Sequence, residues 1–357
     1  ADMDVTRATA ATRVDENGLV NYALGVEEVT NGDFSNGSTD WTPYGSTFVV
    51  SNANPYNGND TALFTASGVN GAKVTQSIST VIGNTYHFSC YAQYNSGDYT
   101  HIEIEGVLEY PNGLAVTNSL NSWTYLETSF TATSTTSIVA VRERGGSNNA
   151  SCYLYDISIK EVNNVPRIDY TGGGCPHILA EPMRTNLIPY SEDLTEWNKG
   201  HLTIASNDII SPDGTQNADT LDVPDTNDFI YEGATTIAST EYVFSFYVKR
   251  GTIAESALKL AVYDDTANAF IVSDISYSAS DSEWTRVTQS FTTPVGCILI
   301  RAYAFRNSSS TLGTFSVWGA QLEEGSYATS YIPNFGTAAG VTRNQDIFTR
   351  DGIGSLI

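Results

Sequence analysis

The chain is short of basic residues, cysteine and histidine, and each shortage closes a route. Its 17 Lys and Arg stand against 40 Asp and Glu, a formal net charge of −23 with an isoelectric point near 4.3. A surface this acidic repels phosphate backbones, so no nucleic-acid partner is expected. Four cysteines, Cys90, Cys152, Cys175 and Cys297, are too few and too scattered for a disulfide framework, and no C-x-x-C pair suggests zinc. The four histidines, His87, His101, His177 and His201, share no metal-ligand spacing. No apolar run approaches the roughly 20 residues of a membrane helix, so no membrane insertion is expected. G-x-S-x-G, H-E-x-x-H, Walker and dinucleotide-binding patterns are all missing, and no enzymatic activity is expected. Helical spacing of apolar residues is not sustained over three turns anywhere.

What is there is alternation and repetition. Short runs rich in Val, Ile, Thr, Tyr and Phe alternate with polar residues between Gly, Asn, Asp and Ser clusters, the pattern of antiparallel strands with one wet face. NGDFSNGSTDW (31–41), GNTYHFSCYAQY (83–94), SWTYLETSFTA (122–132) and SCYLYDISIKEV (151–162) recur in order as YSEDLTEW (190–197), STEYVFSFYVKR (239–250), EWTRVTQSFTT (283–293) and TFSVWGAQLEEG (314–325). Trp41 and Trp123 lie 82 residues apart and Trp197 and Trp284 lie 87 apart, so each copy is a whole domain.

The first copy sits between two strand-like stretches, GLVNYA and VPRIDY, the second followed by a glycine-rich turn, TGGGCP. This predicts an insertion: residues 1–27 pack with the second sandwich, 28–162 form the first domain, 163–337 the second, and 338–357 a linker or bridge to a further domain. The opening ADMDV and the closing GIGSLI read as cuts in something longer. Cys90 and Cys152 align with Phe246 and Phe315, which makes them packing thiols. Whether they bridge depends on whether their strands are neighbours, which spacing leaves open.

The faces of these strands carry the candidate site. Period-two alternation puts Tyr86, Phe88, Cys90 and Ala92 on one face and His87, Ser89, Tyr91 and Gln93 on the other; in the second copy Ser245, Tyr247 and Lys249 face out. The strand IVAVRER sets Arg142 and Arg144 outward, and LIRAYAFR sets Arg301, Tyr303 and Phe305 outward. Planar rings stack on sugars and guanidinium forks grip hydroxyls or carboxylates, so a sheet carrying Tyr91, Gln93, Arg142, Arg144, Tyr247, Arg301, Tyr303 and Phe305 suits a glycan, an acidic one especially. Ordinary solvent-side or interface residues of a sandwich would show the same types. Glu103 and Glu105 share a face in HIEIE, yet Lys259 and Ala261 stand at the matching positions, so the pair is not part of the shared plan.

Two resemblances attach to these segments. ATRVDENGLV, NVPRIDY with CPHILAEPMRTNLIPYSEDLTEW, and WGAQLEEGSYATSYIPNFGTAAGVTR resemble a recurrent module of bacteriophage virion proteins, chiefly tail fibres and other appendages, and bracket most of residues 5–343. The repeats resemble carbohydrate-binding modules of the jelly-roll type, families four and nine, through the N-G-D-F-x-x-G…W start and the Y-x-D finish. That likeness is weaker in the second copy, where YSEDLTEW replaces the opening and Gly319 replaces Asp156. The resemblances imply an all-β chain of two tandem antiparallel jelly-roll sandwiches, the first inserted between short strands that belong with the second. They imply a structural calcium near the domain start and the final strand, at Asp33 and Asp156, and the loop NPYNGND adds Asp60. They also imply a non-enzymatic protein of the virion surface that binds host glycans, with other virion proteins as partners and a homo-oligomer, a trimer by analogy with fibres. One alternative is a purely structural capsid-decoration or fibre element. Another is the accessory binding region of a secreted, extracellular polysaccharide-degrading enzyme.

Overall fold

The computed structural model describes residues 3–69, 71–97, 100–116, 122–143, 150–173, 175–224, 227–306 and 312–350. Among them there is no α-helix, only three single-turn 3₁₀ segments between strands. No helix is long and apolar enough to cross a membrane. The chain divides into an inserted unit, Leu24–Val165, and a host unit made of Ala1–Ala23 and Pro166–Ile357. The expected boundary at residue 27 moves back because Gly25 N donates to Glu161 O and Glu27 bridges Lys160, which ties 24–27 to the inserted unit.

The inserted unit is a sandwich of ten strands: β1 (Thr42–Tyr44), β2 (Ser46–Tyr56), β3 (Asn59–Ala66), β4 (Lys73–Ser79), β5 (Thr85–Ser96), β6 (Thr100–Ile104), β7 (Leu114–Val116), β8 (Thr124–Thr131), β9 (Thr136–Glu143) and β10 (Ser151–Glu161). Two antiparallel sheets run in the orders β7-β6-β9-β4-β1 and β8-β5-β10-β3-β2. The host unit carries β11 (Asn198–Lys199), β12 (Thr203–Ile209), β13 (Ala218–Val223), β14 (Phe229–Thr235), β15 (Glu241–Arg250), β16 (Lys259–Asp264), β17 (Ala269–Ser276), β18 (Thr285–Thr292), β19 (Leu299–Arg306) and β20 (Gly313–Glu324). Its sheets, β17-β16-β19-β14-β11 and β18-β15-β20-β13-β12, repeat the first pair strand for strand.

Alternation decides what is buried. Tyr86, Phe88, Cys90 and Ala92 are at most 1% exposed in the first core, as are Tyr242, Phe244, Phe246 and Val248 in the second. The repeat extends to single hydrogen bonds. Tyr86 stacks on Phe130 and its hydroxyl accepts from Val81 N at 2.9 Å; Tyr242 stacks on Phe291 and accepts from Ile237 N at 2.9 Å. Trp41 Nε1 donates to Asn31 O and Trp197 Nε1 to Tyr190 O. Cys90, Cys152 and Cys297 are buried free thiols and Cys175 is an exposed one.

The tail corrects an expectation. Val341–Arg343 pairs with Arg184–Asn186, and Ile347–Arg350 pairs with Met3–Thr6, so 341–350 is a structural part of the host unit and not a linker. Arg7, Arg167 and Arg343, each at most 1% exposed, converge there on Glu181 and Asp346. Buried guanidiniums need such partners, and that need ties both chain ends to the middle.

Candidate functional site

The outward residues of β19 and its neighbours in the host unit make an aromatic face. Tyr303 on β19 lies opposite Tyr231 on β14, with ring centroids 4.8 Å apart, and Phe229 packs on Tyr231 at 5.8 Å. On the other side Tyr263 of β16 meets Phe270 of β17 at 4.9 Å. Arg301 lies between these pairs, 5.2 Å from the Tyr231 ring and 5.5 Å from the Tyr263 ring, while Arg306 covers Phe270 at 4.6 Å. Arg301 is ion-paired with Asp265, and Arg306 with Asp274 at 2.5 Å, so the charge of each guanidinium is met by a carboxylate. Each guanidinium is thereby held in place over a ring, with N–H groups left to donate. Burial pushes the Tyr303 phenol up, partly offset by Arg301, so it stays a neutral hydroxyl.

Phe305 was expected to face outward with Arg301 and Tyr303 and does not. Ile230 pairs with Phe305 but the next residue, Tyr231, pairs with Tyr303, so a β-bulge at Ala304 shifts the alternation by one. Phe305 is fully buried against Phe315, and Arg306 takes the outward place. Sequence alternation missed Tyr231, Tyr263, Phe270 and Arg306; aromatics at alternate positions in FIYEG and the single tyrosine of LAVYD were the available signal.

The single face assembled from Tyr91, Arg142 and Arg144 does not form. Tyr91 stands on the sheet of β5 and Arg142 on the opposite sheet, that of β9; Arg144 lies outside the described residues. Likewise Tyr247, on β15, is on the sheet opposite to Arg301 and Tyr303. Arg142 pairs with Glu105, which Lys73 also meets at 2.6 Å, and its Nε lies 3.8 Å from Glu103. Glu103 is fully buried and accepts from Tyr110 N, so Glu103 and Glu105 are held inside an ion-pair network and are not open to a substrate.

Tyr91 belongs to a separate cluster with Tyr56, Tyr125 and Tyr155, centroids 4.4–5.3 Å apart, which also brings in Trp123 beside Tyr56. Burial, then a hydrogen bond from the Tyr91 hydroxyl to Tyr56, pushes the Tyr91 phenol up to about 12. Gln93 is buried on the same face and accepts from Asn54, which closes it to a ligand.

Asp156 has a backbone reason for interrupting an apolar strand. It sits at a bulge of β10 with φ of 52°, and its counterpart Gly319 has φ of 65°. Only Gly, Asn and Asp adopt that left-handed conformation at low cost. Burial pushes the Asp156 carboxyl up, Lys160 opposes, and Glu27 and Asp33 add to the rise. Asp33 therefore lies close enough for its charge to act on Asp156. Among the described residues, however, no three His, Cys, Asp or Glu side chains converge as metal ligands, so Asp33, Asp60 and Asp156 do not form the expected trio.

Comparison with known proteins bears on the inserted unit. Residues 26–148 match a family model described as a carbohydrate binding domain, of the type shared by families four and nine. No curated protein matches the chain. Among solved structures, the chain is similar to the N-terminal CBM22-1-CBM22-2 tandem domain from Paenibacillus barcinonensis Xyn10C, at 13% identity, covering 84% of this chain and 97% of that one with a TM-score of 0.33. It is also similar to a family 16 carbohydrate binding module, at 23% identity over 37% of this chain and 97% of that one, TM-score 0.29. A third is TmCBM61 in complex with β-1,4-galactotriose, at 15% identity over 38% and 98%, TM-score 0.28. Likenesses this weak add nothing to the geometry above.

Proposed function

We propose that the chain is a non-catalytic glycan-binding protein and that the host unit holds its ligand on the face of Tyr231, Tyr263 and Phe270, with the buried Tyr303 packed behind Tyr231. The observation that supports this most is the pairing of ring planes with two guanidiniums whose charges Asp265 and Asp274 already cancel. Rings stack on the apolar faces of sugars, and the fixed N–H groups and carboxylate oxygens pair with hydroxyls. Because both of its arginines are already paired with carboxylates, it favours a neutral oligosaccharide over the acidic one that the arginines alone suggested.

The strand-for-strand repeat supports giving both sandwiches the same class, since the first carries the carbohydrate-binding-domain match. The three flanking segments that resemble phage appendage modules support a place on a virion, where weak sugar contacts multiplied by an oligomer become useful. Calorimetry of the whole chain against neutral and acidic oligosaccharides tests the reading. Tyr231→Ala and Phe270→Ala are each expected to weaken binding by about 1 kcal/mol, roughly fivefold. Binding that neither substitution changes, or no binding to any sugar, would overturn it.

A further inference from the structure

The host unit has a second concavity on its opposite sheet. A groove of roughly 990 Å³ runs beside the hairpin formed by Thr12–Val14 and Val20–Tyr22 and is floored by Tyr247, Trp284 and Arg286. That is the upper end of the size range of ligand sites. All of its lining belongs to the host unit.

Three features mark it as built to hold something. Trp284 is half-buried, and its Nε1 donates to Ile210 O at 3.0 Å, so the indole is fixed by its edge. Arg286 lies over the Tyr247 ring at 5.4 Å and donates from Nη2 to Ser245 Oγ at 3.1 Å. Its Nε is buried with no partner, and no ion pair neutralises it among the described residues. With no carboxylate holding the guanidinium, its remaining N–H groups are donors that a ligand oxygen can accept from. In the inserted unit the matching strand position, opposite Tyr91, holds Tyr125, so the arginine is peculiar to this copy.

The charges around Arg286 select the ligand. Asp15 accepts from Asn17 N, Leu19 N and Asn21; Asp169 accepts from Val14 N and Thr171 N; Glu181 is taken by Arg167, Arg343 and Ser330. Their carboxyls are all held below the usual range, because these partners outweigh the effect of burial, and they remain negative. Glu283 and Glu16 add exposed negative charge. His177 stands 3.8 Å from Asp169, and Arg13 is paired with Glu16 at 3.9 Å. A polyanion is therefore repelled by the groove as a whole, and a cation finds no acceptor in Arg286 at its floor. A ligand with apolar ring faces, many hydroxyls and no charge meets neither penalty.

We infer that this groove is a second glycan site, taking a neutral oligosaccharide of several residues with Trp284 as the stacking platform and Arg286 as the hydrogen-bond donor. It shares the ligand class of the reading above but none of its residues.

The test is calorimetric titration of the whole chain with cellohexaose, xylohexaose and β-1,4-galactohexaose. Wild type is expected to bind one of them at two sites. Trp284→Ala and Arg286→Gln should each weaken one site by about five- to tenfold, while Trp284→Tyr, which keeps a platform, retains most of it. Arg286→Gln removes little packing and serves if Trp284→Ala does not fold. Binding that Trp284→Ala and Arg286→Gln leave unchanged overturns the groove alone. Loss in those variants with Tyr231→Ala unaffected supports the groove and overturns the aromatic face. No binding in wild type overturns both.

Discussion

Replacing Asp346 by Ala removes the carboxylate on which the host unit closes its two chain ends. Asp346 is 1% exposed in its side chain and accepts from Arg7 Nη1 at 2.8 Å, from Arg167 Nη2 and from Glu181 N at 2.9 Å. Without it Arg7 and Arg167, both with fully buried side chains, keep their charges and lose this partner. Breaking a buried pair from one side costs about 3–5 kcal/mol. For a unit of this size that is a fall in melting temperature on the order of 10 °C. The effect has a pH signature. Burial alone would raise the Asp346 carboxyl, but its bonds to Arg167 and Arg7 bring it below the ordinary 3.8, and Arg343 and Arg167 likewise hold Glu181 below 4.5. A depressed folded-state value means stability that is complete above the unfolded value and lost as pH falls through the folded one. The gap between wild type and Asp346→Ala should therefore be full at neutral pH and begin to narrow only as pH falls below about 4. Denaturant melts at pH 7 and pH 3 measure it. A variant that melts with wild type at pH 7 would show that 341–350 is dispensable and restore the linker expectation.

The remaining expectations are quicker to check. A thiol reagent should label Cys175 alone in the native protein and four cysteines after unfolding, because Cys90, Cys152 and Cys297 are buried and burial raises their thiols; native labelling of more than one would contradict the packing. If Asp33 and Asp156 hold calcium with loop carbonyls, a chelator should lower the melting temperature of the inserted unit, and Asp156→Gly, which keeps the left-handed bulge, should abolish that shift. A melting curve that the chelator leaves unchanged removes calcium from the picture. Gly319→Ala should destabilise the host unit by about 1 kcal/mol or more, through its positive φ and because the added Cβ would meet Tyr247 at 3.2 Å; a melt equal to wild type would refute the backbone explanation of the Asp156 position.

What the sequence determined was whatever depends on local period and order. Alternation in TYHFSCYAQY and EYVFSFYVKR marked the inward faces of β5 and β15, and the matched segments marked two copies of one sandwich, because burial of every second residue needs no knowledge of neighbours. What alternation could not show was which strands share a sheet. Tyr91 and Arg142 are both outward residues, but on opposite sheets, since β5 and β9 belong to different layers. Nor could it foresee the bulge at Ala304, which exchanges Phe305 for Arg306 on the aromatic face through one extra residue. The tail read as a linker from its composition, whereas pairing with Met3–Thr6 and the burial of Arg343 and Asp346 are long-range contacts that only the closed fold supplies. Period-two patterning is a property of one strand, and a site of several side chains is a property of how strands are paired.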